Sequence, residues 1–212
     1  MIYRDRRDAG RRLAEHLLIY RHNAVVLAIP RGGVPVGYEV AKRLEVPLDL
    51  IIPRKLPIPS DPEAGFGAIA PDGTIVLNER LVAYCGLSAK DIERIAGEVL
   101  AEVLRRIREY RGDRPQPELK HRNVIIVDDG LASGYTMVAA VRAVKRERPK
   151  RVIVAVPCSP ESSVGRLEKE ADEVVSLAVQ PYGQFAVAGY YESFPDLSDE
   201  EVKRLITQVP AA

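Results

Sequence analysis

Short runs that are apolar at nearly every position alternate with amphipathic stretches along most of this chain. The runs fall at residues 24–29 (AVVLAI), 48–52, 123–127, 151–156 and 173–177. A strand that is apolar on both faces belongs in a sheet covered on both sides, which is how parallel sheets are built. Between the runs, residues 8–20 place Leu13, Leu17 and Leu18 at helical spacing, and residues 34–44 read as a second helix. A long helix opens at Ser88, runs through Ile92, Ile95, Val99, Val103 and Ile107, and stops at Gly112 and Pro115. Further helices are predicted over residues 134–148 and 161–170. A last one opens at Ser198-Asp199-Glu200-Glu201. Ser88 with Asp91, and Ser198 with Glu201, have the hydroxyl and carboxylate spacing of a capping box. The alternation predicts an α/β fold with a doubly wound, mostly parallel sheet of five strands flanked by helices.

Composition narrows the function classes. The chain has 212 residues, enough for one large domain. Basic and acidic residues nearly balance, with a net charge of +1, so no nucleic-acid partner is expected. No apolar run approaches the length of a membrane span, and residues 1–7 carry no apolar leader. Cys85 and Cys158 lie far apart without a partner spacing, as expected of reduced thiols in a cytoplasmic protein. His16, His22 and His121 lack metal-ligand spacing and are predicted on the surface. Asn and Gln are scarce beside Arg, Glu and Pro, a bias in the direction of thermophiles.

In parallel sheets ligands sit at the carboxyl ends of the strands. The run 123–127 ends in Asp128 and Asp129, then Gly130, Leu131, Ala132, Ser133 and Gly134, and opens into a helix at Tyr135 and Thr136. Backbone N–H groups at a helix start are unpaired and favoured by the helix dipole, so this loop suits a phosphate monoester. Two carboxylates beside a phosphate need partners of their own, and ribose hydroxyls or a divalent cation supply them. Together they describe a ribose 5-phosphate site. After the first run, Pro30-Arg31-Gly32-Gly33 offers a cation and exposed N–H groups, an anion nest. After the second, Arg54-Lys55 adds two cations.

Residues 124–137 resemble the phosphoribosyl-pyrophosphate (PRPP) motif of type I phosphoribosyltransferases: two acidic residues after an apolar strand, then a small-residue loop ending in Gly-x-Thr. The resemblance implies that residues 132–136 cradle the 5-phosphate. It implies that Asp128 and Asp129 bind the ribose hydroxyls and take part in holding Mg²⁺. It makes Pro30, Arg31, Gly32 and Gly33 the pyrophosphate loop, which in this family often contains a cis peptide bond, here at 30–31 or 31–32. Arg54 and Lys55 would help hold pyrophosphate. The stretch 56–77, rich in Pro and Gly, takes the place of the family's flexible catalytic loop, with a hairpin turning at Pro71-Asp72-Gly73. Asp61 and Glu63 within it are either substrate contacts or solvated.

The resemblance covers roughly residues 24–177. A single domain over 1–212 is expected, its core at about 8–178, with residues 179–212 and the N-terminal segment as an acceptor-binding hood. That hood concentrates Tyr182, Phe185, Tyr190, Tyr191 and Phe194. Tyr182 and Phe185 are the candidates for stacking on a base. Members acting on 6-oxopurines carry an acidic residue at the position of Ala132; its absence here removes support for hypoxanthine or guanine as acceptor. The expected reaction is transfer of ribose 5-phosphate from PRPP to a nitrogen acceptor with release of pyrophosphate, in a homodimer, with Arg31, Lys55, Asp128 and Asp129 as the catalytic group. The alternatives are a regulator of the same fold that binds PRPP or a nucleotide without catalysis, and a phosphoribosyl hydrolase or pyrophosphorylase.

Overall fold

The computed structural model describes residues 2–112 and 114–209, without the side chain of Glu63. In chain order the elements are α1 (Arg6–Glu15), a 3₁₀ turn (Leu18–Tyr20), β1 (Val25–Ala28), α2 (Gly33–Leu44), β2 (Leu48–Leu50), β3 (Arg54–Ile58), β4 (Asp61–Ile69) and β5 (Ile75–Leu77). They continue with α3 (Glu79–Tyr84), α4 (Ala89–Arg111), β6 (Asn123–Val127), α5 (Tyr135–Arg146), β7 (Arg151–Pro160), α6 (Glu161–Leu167), β8 (Glu173–Gln180), a second 3₁₀ turn (Val187–Tyr190) and α7 (Asp199–Thr207).

The five predicted apolar runs form one parallel sheet in the order β2-β1-β6-β7-β8. Alternate residues of each central strand feed two cores. Val26, Ala28, Ile125, Val127, Ile153 and Ala155 face α1, α2, α7 and the C-terminal half of α4. Val25, Leu27, Val124, Ile126, Val152 and Val154 face α5. All of these are essentially inaccessible, which is why the runs show no polar alternation. Each such side chain contributes about 1.5–3 kcal/mol on burial.

Both capping boxes form: Ser88 Oγ accepts from the Asp91 N–H, and Ser198 Oγ from the Glu201 N–H, each at 3.2 Å. The predicted helix 8–20 is instead α1 plus a 3₁₀ turn, broken at His16 and Leu17. Strands β7 and β8 run past their predicted ends to Pro160 and Gln180, and pair there through Cys158–Ala178 and Ser159–Val179. The three histidines are exposed. No helix among the described residues is long and apolar enough to cross a membrane.

The stretch 56–77 carries more structure than one hairpin. Strands β3, β4 and β5 make an antiparallel sheet with its own core of Leu56, Phe66 and Ile69 against Ile95 and Ala96 of α4. The predicted turn forms at Pro71-Asp72-Gly73, where Asp72 accepts from the Thr74 N–H at 3.0 Å and the Thr74 hydroxyl at 2.7 Å. Arg54 and Lys55, expected in a loop, lie on β3 opposite Ile69 and Ala68.

Candidate functional site

β1 and β6 are neighbours, yet β1 leads to β2 on one side and β6 to β7 on the other. Their carboxyl ends therefore flank the point where the strand order reverses, where open α/β sheets bind ligands. The Ile29 N–H donates to the Val127 carbonyl at 2.9 Å and holds the two emerging loops side by side. The Pro30–Arg31 peptide is cis. A methyl group at Gly32 would overlap the Asp129 carboxylate, so glycine lets the loop of residues 30–33 lie directly against the acidic pair.

The acidic pair is half-buried, and one member of it is held by a cation. Arg6 Nε donates to Asp129 Oδ2 at 2.7 Å, and the Asp129 N–H donates to Asp128 Oδ1 at 2.8 Å. Burial, and then the neighbouring Asp129 charge, push the Asp128 carboxyl well above the usual carboxylate range. Burial raises Asp129 as well, with Arg6 opposing it. Behind them, burial followed by the same two carboxylates lifts the Cys158 thiol to about 12, so it is an inert core thiol.

The loop between β6 and α5, the candidate phosphate loop, is fixed from three directions. The Leu131 N–H donates to the Cys158 carbonyl at 2.9 Å. Ser163 Oγ, from α6, donates to the Ala132 carbonyl at 2.6 Å. Gly134 sits at φ +79°, which turns the chain into α5. Ala132 and Ser133 are exposed, Tyr135 and Thr136 half-buried, and the first N–H groups of α5 face the loop without helical partners. The Arg166 guanidinium lies over the Tyr135 ring, 4.3 Å from its centroid.

Sequence reasoning missed Arg6. Its side chain is nine-tenths buried, stacks 3.6 Å over Phe194 and donates to the Pro195 carbonyl at 2.7 Å while it holds Asp129. One cation thus ties the N-terminal segment, residues 194–195 and the acidic pair together. A second tie is Tyr3, whose hydroxyl donates to the Pro157 carbonyl at 2.7 Å and whose backbone bridges to Tyr191. Tyr191 in turn donates its hydroxyl to the Asp129 carbonyl at 2.6 Å. The only sequence signal was an arginine-rich start, which looks like any solvated charge run.

The remaining predicted residues are dispersed. Arg31 is exposed, with a guanidinium nitrogen 3.6 Å from Asp199 of α7. Arg54 points to Glu102 of α4 at 3.4 Å, and Lys55 is exposed on β3. Of the five hood aromatics, Tyr191 and Phe194 close the structure beneath Asp129. Phe185 pairs with Tyr190 at 5.4 Å between ring centroids, and Tyr182 is 86% exposed. The Glu63 side chain lies outside the described residues.

Comparison with known proteins agrees with this geometry. Residues 2–192 match the phosphoribosyl transferase domain family. Two Mycobacterium tuberculosis proteins, from strains H37Rv and CDC 1551, each named "Putative phosphoribosyl transferase", are 44% identical over 202 residues. The match takes in 95% of this chain but 45% of theirs, so the chain spans about half the length of these relatives. The crystal structure of TT1426 from Thermus thermophilus superposes with a TM-score of 0.82 at 40% identity, covering both chains fully. AQ2163 from Aquifex aeolicus, at 15% identity and TM-score 0.50 over 82% of this chain and 74% of its own, shares the fold. With a family model spanning residues 2–192 and relatives 40–44% identical over nearly all of it, the chain belongs to the phosphoribosyl transferase family.

Proposed function

We propose that the chain transfers ribose 5-phosphate from PRPP to a nitrogen nucleophile of the nucleobase class, with inversion at C1 and release of pyrophosphate. The observation that carries this reading is the closure of the Arg31-Gly32-Gly33 nest onto Asp129. That contact brings the candidate pyrophosphate loop against the carboxylates that precede the candidate 5-phosphate loop, which supports one continuous PRPP site.

In this reading the α5 N-terminus and its loop take the 5-phosphate. Asp129 Oδ2 is taken by Arg6, so Asp128 is the freer of the two carboxylates to accept the ribose hydroxyls. Arg31, the nest N–H groups and Lys55 stabilise charge on departing pyrophosphate. Positioning supplies much of the rate, because pyrophosphate is a good leaving group. Among the described residues no three His, Cys, Asp or Glu side chains group as a metal shell. Two carboxylates completed by substrate oxygens suit Mg²⁺, which keeps few protein ligands, so Asp128 and Asp129 fit it in that sense. Bound there, the ion would supply Lewis-acid charge against the phosphoryl oxygens.

The test is pyrophosphate release from PRPP and Mg²⁺ with adenine, hypoxanthine, guanine, xanthine, uracil and orotate offered singly. Base-dependent release establishes the transferase and its acceptor. Silence across the panel, with PRPP still bound, transfers the reading to a PRPP-sensing role.

A further inference from the structure

A polar cavity of about 480 Å³ opens beside the start of α5. Its walls come from the β5–α3 junction, from α5 and from α6, and it is lined by Asn78, Arg80, Tyr135, Arg142, Arg166 and Glu170 among others. It shares Tyr135 with the phosphate loop.

Three arginines line this cavity against two glutamates, Glu79 and Glu170. Arg142 is matched by Glu170 in a two-pronged ion pair at 3.0 and 2.5 Å. Arg166 is not matched in this way. Its guanidinium rests on the Tyr135 ring, and its Nε is buried with no hydrogen-bond partner. A buried N–H donor without an acceptor costs about 1–3 kcal/mol, and such groups are rare. Arg80, exposed at the start of α3, adds a cation at the rim. A cavity lined by three guanidiniums and two carboxylates, one of which already pairs with Arg142, suits a ligand with several acceptor oxygens and negative charge. Arginine forks match phosphate in that way.

We propose that Arg166, Arg142 and Arg80 form a second oxyanion site, adjoining the phosphate cradle through Tyr135, that binds the phosphate group of a small molecule. Occupation would reach the cradle directly: Arg166 stacks on the first residue of α5, and Ser163, on the same helix as Arg166, holds the Ala132 carbonyl. The site stands on its own residues and does not depend on the transferase reading.

The experiment uses tungstate, a phosphate mimic visible by anomalous scattering, soaked into phosphate- and sulfate-free crystals of the whole chain with saturating ribose 5-phosphate. The expected result is a tungstate peak in this cavity, against the Arg166, Arg142 and Arg80 guanidiniums, while ribose 5-phosphate fills the cradle. In solution, orthophosphate should raise the melting temperature in the presence of saturating ribose 5-phosphate. Arg166→Gln should weaken that response about tenfold in phosphate concentration, the equivalent of one charge-assisted hydrogen bond. Arg80→Gln, at an exposed position where folding is not at stake, should weaken it in the same direction. Absence of tungstate from this cavity, or a phosphate response unchanged in both variants, overturns the proposal. A cradle that fails to take ribose 5-phosphate would count against the transferase reading, while the tungstate peak in this cavity would still decide this one.

Discussion

Arg6 and Asp129 are 123 positions apart in the chain, and their side chains meet at 2.7 Å in an ion pair that is about nine-tenths buried on the arginine side. The pair fixes which carboxylate is free to work. Asp129 is held by the N-terminal helix and closed over by Gly32, while Asp128 keeps a desolvated carboxyl outside that ion pair. Removing one partner of a buried pair leaves an uncompensated charge and costs about 3–5 kcal/mol. Arg6→Ala is therefore expected to lower stability by that order in urea unfolding and to weaken PRPP binding in calorimetry. Arg6→Met combined with Asp129→Asn, which removes both charges, should recover most of the stability. A double variant as unstable as Arg6→Ala would show that Arg6 acts through Phe194 and Pro195 rather than through the carboxylate.

Asp128 should trade stability for binding. Its folded-state carboxyl holds its proton to higher pH than in the unfolded chain. The folded state therefore binds more protons, and stability falls as pH rises from the unfolded carboxylate range through the folded value. Asp128→Asn keeps the acceptor for the Asp129 N–H and removes that penalty. It should raise the apoprotein melting temperature near neutral pH by about 2–4 °C, the shift expected from ~1 kcal/mol in a chain of this size. The gain should vanish below about pH 4, where both states are protonated. PRPP affinity should fall by at least about tenfold, since an amide cannot accept from two ribose hydroxyls as a carboxylate does. A scan of melting temperature against pH, with calorimetry beside it, separates the two effects.

Gly32→Ala tests the closure of the nest. The added methyl would occupy the space of the Asp129 carboxylate, so either the loop opens or Arg6 loses its partner. Both outcomes predict a loss of PRPP affinity larger than that of Arg31→Ala, which removes one exposed cation and leaves the backbone in place. Equal losses would mean that the guanidinium, and not the close approach of backbone, does the binding.

The sheet and most helices were legible because their signals are local. Runs buried on both faces cannot alternate, and Ser88 and Ser198 announce their helices by hydrogen bonds that span three residues. Strand β3 was hidden by Pro57 within it and by Pro53 and Pro59 on either side. It lies at the edge of the small sheet, where Pro57 forfeits no ladder bond that the interior would need, and the register slips at that residue. Asp128, Asp129 and the loop after them could be read because one turn of chain carries them. Arg6 could not, since its meaning comes from Asp129, Phe194 and Pro195, which only the folded chain brings to it. Tyr191 and Phe194 likewise look like base-stacking residues by type, yet packing has spent them under the acidic pair.

Arg31 offers the sharpest test of direction. One of its guanidinium nitrogens sits 3.6 Å from Asp199 Oδ1, an oxygen that also accepts the Tyr110 hydroxyl at 2.5 Å. If Arg31 serves pyrophosphate, it must exchange Asp199 for substrate. The pair is partly exposed, and such pairs contribute about 0–1 kcal/mol. Asp199→Asn preserves the acceptor for Tyr110 and removes the competing charge. PRPP affinity should then rise, by no more than about fivefold. Arg31→Ala should lower it, and the double variant should bind like Arg31→Ala alone, because Asp199 then has nothing left to restrain. Calorimetry of the three variants at one ionic strength reads all of this. A fall in affinity on Asp199→Asn would mean that α7 aims Arg31 at the substrate instead of holding it back.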